Sequence, residues 1–153
     1  MVRTLMVAAV CVLGVGSALA PSALAQDDVK KELAKMEGTW GIVSAEENKE
    51  ALPAAIKDNL KLVIKGNQLT FKGDDNISKK AGKITLKIDP STMPKTIDFT
   101  IEIGSEKGQT LEGIYDWQGK DLRFCVRMMG NERPTEFATA PGSNLVLMVL
   151  KRE

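Results

Sequence analysis

A chain of 153 residues that is 43% hydrophobic and 27% charged has material for one globular core and not for two ordinary domains. With 21 Lys+Arg against 20 Asp+Glu the formal net charge is +1, which excludes the concentrated basic surface that nucleic acid or an anionic membrane would require. No histidine is present, so the usual imidazole acid, base and metal ligand is missing as well.

Residues 1–25, MVRTLMVAAVCVLGVGSALAPSALA, open with Arg3, run apolar from Leu5 to Val15, and end in small residues at Ala23 and Ala25. This is the layout of a secretory signal peptide, here cleaved before Gln26. The apolar run falls short of the ~20 residues of a membrane span, and Pro21 disfavours the alternative cleavage after Ala20; retention as an uncleaved anchor is the rival reading. Cys11 follows Val10 inside the run, where a lipoprotein signal needs a small residue, so lipidation is not expected. Loss of this leader removes Arg3 and brings the charges into balance. It also leaves Cys125 as the only thiol, so stability must come from packing and not from a disulfide.

From Asp27 to Met36 the acidic start, the apolar positions Val29, Leu33 and Met36, and the stop at Gly38 predict a short amphipathic helix, and residues 26–37 are assigned to a helix and linker. The period then changes to two. Trp40 and Ile42 alternate with Gly41 and Val43 in a first strand, and Pro53 starts one or two helical turns over residues 53–60. KLVIK (61–65) and QLTFK (68–72), joined by Gly66-Asn67, predict a hairpin. GDDNISKKAG is predicted as a loop, with Asp74-Asp75-Asn76 a turn that has calcium-compatible oxygens but not the spacing of a calcium loop.

KITLKID presents Ile84, Leu86 and Ile88 on one face, and KTIDFTIEI presents Ile97, Phe99, Ile101 and Ile103 opposite Thr96, Asp98, Thr100 and Glu102. QTLEGIYD and DLRFCVRM follow, with WQGK as the turn between them. The last strand, NLVLMVL, is apolar on both faces and calls for a cover on each side, for which the 27–36 helix is the predicted source. The fold class is therefore all-β: an eight-stranded antiparallel meander closed into a barrel over residues 38–153, with one short N-terminal helix and one after the first strand. Closure removes the exposed edges an open sheet would leave.

Gly38-Thr39-Trp40 at the start of the first strand resembles the Gly-x-Trp signature of the lipocalin-like superfamily. The phrases LAKMEGTW, LKLVIKG, KTIDFTI, LEGIYDW, ERPTEF, PGS and MVLKRE, in that order over residues 33–153, are similar to a planctomycete-type conserved domain of unknown function that is often secreted. The resemblance implies a barrel whose Trp40 plugs the closed end and stacks on a basic side chain of the last strand, Lys151 or Arg152, and it implies export. It carries no activity, ligand or catalytic residue.

An interior of period-two apolar faces makes Trp40, Ile42, Phe71, Phe99, Ile101, Tyr115 and Phe124 the candidate lining for a small apolar ligand. For Trp40 the competing role is structural, an indole anchored in the barrel floor; for Tyr115 and Trp117 it is core packing in place of a carbohydrate platform. Glu132, Arg133 and Glu136 in NERPTEF form a candidate interaction loop, in which Arg133 either bridges the two glutamates while Phe137 drops into the barrel mouth, or contacts a partner. Arg123 and Arg127 flank Cys125 and read either as an anion patch or as partners of Glu102 or Glu112 across strands.

Without histidine, a nucleophile triad, a phosphate loop or a metal cluster, catalysis by Glu132 and Glu136 is the least supported reading. The leading one is a secreted or periplasmic non-catalytic binding module for a small apolar ligand, without cofactor or metal. The alternative is a solid-core domain of the cell envelope that binds another protein. Nucleic acid and stable membrane insertion are not expected partners.

Overall fold

A computed structural model describes residues 23–153, and the predicted signal peptide up to residue 22, with Cys11, lies outside them. Helix α1 (Ala23–Met36) leads into β1 (Gly38–Glu47), a two-residue β2 (Glu50–Ala51), α2 (Ala54–Asn59), β3 (Lys61–Lys65), β4 (Gln68–Lys72), α3 (Asp75–Lys80) and β5 (Lys83–Asp89). Strands β6 (Lys95–Ile103), β7 (Thr110–Gln118), β8 (Asp121–Arg127) and β9 (Leu145–Arg152) complete the chain. Each strand from β3 onward pairs antiparallel with the next, and β1 pairs with both β3 and β9. The eight long strands therefore close into a barrel, as the alternation predicts, and β2 is a short flap on β1.

Inward side chains from every strand meet in one core that includes Trp40, Leu62, Ile84, Phe99, Tyr115, Phe124 and Leu150. In β1 the register shifts between Ile42 and Ser44. A bulge adds a residue there, so the inward positions run Trp40, Ile42, Ala45 and Val43 is left facing solvent. One end of the barrel gathers the start of β1, the end of β9 and the turns after β3, β5 and β7, and α1 closes it with Met36 in the core and Val29 and Leu33 packed against it. The other end carries α2, α3, the β6–β7 turn and the long β8–β9 connection.

Five expectations need correction. The helix already includes residues 23–26 of the described chain, 23–25 of them inside the predicted leader, and so does not start at Asp27. GDDNISKKAG is not all loop: Asp74 accepts from the amides of Asn76 (2.8 Å) and Ile77 (3.0 Å) and so caps the six-residue α3, because a carboxylate at that position satisfies the first orphan donors of a helix. Trp117 belongs to β7, and the turn begins only at Gly119.

The cover over the last strands is the 128–144 connection, not α1. It lies across the outer face of β8, where Arg127 donates to the carbonyls of Glu132 and Ser143 (2.9 Å to Ser143), and the Arg123 guanidinium carbon sits 4.0 Å from the centroid of the Phe137 ring. Phe137 thus packs outside the barrel and does not enter its mouth. The reason is the outward pair Ile114 and Cys125, register partners on β7 and β8. Both are buried although they point away from the core, and they hold the strap on that face.

Candidate functional site

The barrel interior is divided into a packed half and an open half. At the closed end Trp40 is 0% exposed, and its Nε1 donates to the Met36 carbonyl at 2.8 Å, which ties β1 to the last turn of α1. The Arg152 guanidinium carbon lies 4.5 Å from the centroid of the Trp40 ring, so of the two basic residues offered by the resemblance it is Arg152 that stacks. Arg152 also donates to the carbonyls of Lys35 and Glu37 and thereby satisfies the C-terminal end of α1. Gly38 is needed here: its φ is +137°, and a Cβ would stand 2.8 Å from Arg152 Nη1.

Beside this floor a carboxylate is buried that no pattern in the sequence marks. Glu32 is 5% exposed. Its Oε1 accepts from Lys95 Nζ (2.9 Å), Trp117 Nε1 (2.9 Å) and, at 3.4 Å, the Tyr115 hydroxyl, while Oε2 accepts from Lys35 (3.2 Å). Burial alone would push its carboxyl up, but the hydrogen bonds from Lys95, Trp117 and Lys35 outweigh burial and hold it below the ordinary glutamate value. The same surroundings act oppositely on Tyr115, whose phenol is pushed well above its ordinary value by burial first and by the Glu32 charge second. Tyr115 and Trp117 therefore belong to the barrel floor, where the Trp117 and Trp40 rings lie 6.1 Å apart, which is the packing role weighed for them.

Above this floor, Phe99 and Phe124 meet edge to face at 5.5 Å, and beyond them the aromatic content drops. The upper half encloses a cavity of about 390 Å³ lined almost wholly by apolar side chains. Of the candidate lining residues, Ile42, Phe71, Phe99 and Ile101 border it. Trp40, Tyr115 and Phe124 do not; they are consumed in the packed half. Residues that sequence reasoning missed complete the lining, notably Ile56 on α2, Ile77 on α3 and Met128 and Met148 at the far rim. Only Glu47, Lys80 and Glu106 bring charge to the boundary, all at the open end.

The NERPTEF loop forms a clamp of a different kind from the one predicted. Arg133 does not bridge Glu132 and Glu136, both of which are exposed. It pairs with Asp98 at 2.7 Å and reaches Glu112 at 3.8 Å, and it donates to the carbonyls of Gly113 (2.8 Å) and Ile97 (3.3 Å). Asp98 and Glu112 are register partners on the outer faces of β6 and β7, so Arg133 fastens the strap to the barrel wall. Arg123 is likewise taken by Asp116, with bonds of 2.9 and 2.6 Å, and not by Glu102 or Glu112. Arg123 and Arg127 are thus each engaged within the fold, the first by Asp116 and the second by carbonyls of the strap.

Beneath the strap, Cys125 is fully buried, and burial pushes its thiol up. Native Cys125 should therefore react with a disulfide reagent at least ~100-fold more slowly than in denaturant, because the strap must open first. Arg133→Ala, which unfastens it, should speed the native reaction; thiol labelling followed by mass spectrometry reads both rates.

Among the described residues no group of three carboxylates or thiols is placed to hold a metal ion, and no helix is long and apolar enough to cross a membrane. Comparison with protein-family models, with curated proteins and with solved structures found no match in any of the three, so what bears on function is the barrel's own geometry.

Proposed function

We propose that this protein is a non-catalytic binding module that holds one small apolar ligand in the upper half of its barrel, and that residues 1–25 export it. The observation that carries the reading is the 390 Å³ apolar cavity above a floor already filled by Trp40, Tyr115, Trp117 and Phe124. A cavity of this size is at the small end of ligand pockets, which span about 300–1,000 Å³. At the ~0.75 packing density of protein interiors it accommodates roughly 290 Å³ of ligand, the bulk of two or three small rings or a medium-length aliphatic chain.

The lining fixes the chemistry. With three charged residues confined to the rim, a polar group taken inside would lose its water and find no partner, at a cost of about 1–3 kcal/mol. N-phenylnaphthylamine, a neutral dye of suitable bulk that brightens in apolar surroundings, is therefore expected to bind at one site. Met148→Trp, which fills the cavity from β9, should weaken that binding at least ~10-fold while leaving the unfolding temperature unchanged or higher. Wild-type protein that leaves the dye dark at micromolar concentration would remove the reading.

A second reading, an interaction domain of the cell envelope, is favoured by one feature. Met128 and Met129 are 41% and 69% exposed at the start of the strap, next to the exposed carboxylates of Glu132 and Glu136. Pull-down from envelope extracts with wild-type protein and with Met129→Glu separates this reading from the first, since Met129 does not border the cavity.

A further inference from the structure

The barrel is not hydrogen-bonded all the way round at its open end. Strands β4 and β5 share only two register pairs, Gln68 with Thr85 and Leu69 with Ile84. Above them Thr70, Phe71 and Lys72 have no partner on that side, while β5 goes on pairing with β6 through Lys83. The breach is filled by α3. Its Ile77, with Ala81 just after it, faces the cavity between Phe71 and Ile84, and all four residues border the cavity.

The filling is lightly held. No residue of α3 is fully buried. The helix is retained by the Asp74 cap, by the Ser78 hydroxyl donating to the Phe71 carbonyl at 3.3 Å, and by the amides of Ser105 and Glu106 donating to the carbonyls of Lys79 (3.1 Å) and Lys80 (3.2 Å). The last two bonds join its C-terminus to the β6–β7 turn, so they depend on that turn coming close. Gly104 makes the approach possible: its φ is +124°, and a Cβ would lie 2.2 Å from the Lys80 carbonyl oxygen. Glycines at 73 and 82 bracket the segment and give it a pivot at each end.

A six-residue helix with few buried contacts, set in a gap of the ladder between glycines, has the makings of a unit that opens locally without unfolding the barrel. We infer that α3 is the gate of the cavity: it swings away from the β6–β7 turn about Gly73 and Gly82, and the ligand passes sideways between β4 and β5. This rests on the cavity being a ligand site. The end of the barrel offers the rival path, past Glu47, Glu106 and Met128. The lateral path is favoured because displacing α3 breaks three hydrogen bonds to the rest of the protein and no strand pairing.

Stopped-flow mixing of the full chain with N-phenylnaphthylamine tests the inference, because a gate alters how fast ligand comes and goes and not how tightly it is held. Gly104→Ala, which forces the turn from α3, should raise association and dissociation rates together, each about 10-fold, with the dissociation constant within about 3-fold of wild type. Ser78→Ala, a milder change that preserves the turn, should raise both by about 2–3-fold.

In wild-type protein the Ala81 amide, bonded to the Ile77 carbonyl at 2.9 Å, should exchange with solvent far faster than amides of β6. Ala81 protected as strongly as β6, or wild-type rates in a folded Ser78→Ala protein, overturns the gate while leaving the cavity as a ligand site. A wild-type protein that binds no dye removes the ligand site, and the gate with it.

Discussion

Replacing Trp40 by alanine is expected to lower the unfolding free energy by about 3–5 kcal/mol, the range for a large aromatic deleted from a well-packed core. For a chain of this size that corresponds to a fall in unfolding temperature of roughly 10–15 °C. The loss has three physical sources. The indole is fully buried, so its apolar area returns to water on unfolding; its Nε1 bond to the Met36 carbonyl fixes α1 on the barrel; and Arg152 loses the ring on which it lies. Trp40→Phe keeps much of the first and part of the third but loses the second, so it should cost about 1–2 kcal/mol. Urea unfolding followed by far-ultraviolet circular dichroism ranks the two variants, and equal midpoints for Trp40→Ala and wild type would show that Trp40 is not the floor of this fold. Dye binding gives a second distinction: Trp40 does not border the cavity, so under conditions where Trp40→Phe is folded its dye affinity should match wild type.

The strands were legible because each buries one face only. KTIDFTIEI forms β6 over Lys95–Ile103 with Ile97, Phe99 and Ile101 inside, and no other secondary structure places those residues together. The division of the interior was not legible, since period two says which side chains point inward and nothing about depth. Depth comes from the cyclic register, which sets Trp40, Tyr115 and Phe124 low and Ile42, Phe99 and Ile101 beside the cavity.

Helix α3 escaped notice because six residues with one large apolar side chain, Ile77, show no period, although Asp74 two and three residues before its bonded amides was a cap signal in plain view. The seat of Phe137 outside the barrel had a signal of its own. Ile114 and Cys125 are apolar residues on the outward register of their strands, and they announced that something must cover the wall there. Glu32 could not have been found from its neighbours: in KKELAK it resembles any solvated helix acid, and its burial is created by Lys95, Tyr115 and Trp117 from distant strands.

That buried carboxylate leads to a pH-dependent effect of comparable size. Glu32→Gln keeps the shape of the side chain but removes the charge that faces Lys95 and Lys35. Removing one partner of a fully buried pair costs about 3–5 kcal/mol, and since the Lys95 side chain is 33% exposed and regains part of its hydration, roughly 2–3 kcal/mol is expected at neutral pH. The sign of the pH dependence follows from the direction of the shift. The folded protein holds Glu32 below its ordinary value, so the unfolded chain takes up a proton first as pH falls. The stabilisation from Glu32 is therefore complete above the unfolded carboxylate value, near pH 4.3, and disappears as pH drops through the lower folded value. The stability gap between wild type and Glu32→Gln should accordingly be constant from about pH 6 to 8 and shrink below about pH 4.

The loss should also be local, because Glu32 is what joins α1 to β6 and β7. Trypsin should cleave after Lys30, Lys31 and Lys35 faster in Glu32→Gln than in wild type at pH 7, while cleavage in the barrel strands changes only with global stability. A gap that persists undiminished at pH 3 would mean that shape and apolar contact, through Val29, Leu33 and Met36, hold α1 in place and that the ion pairs contribute nothing to its docking.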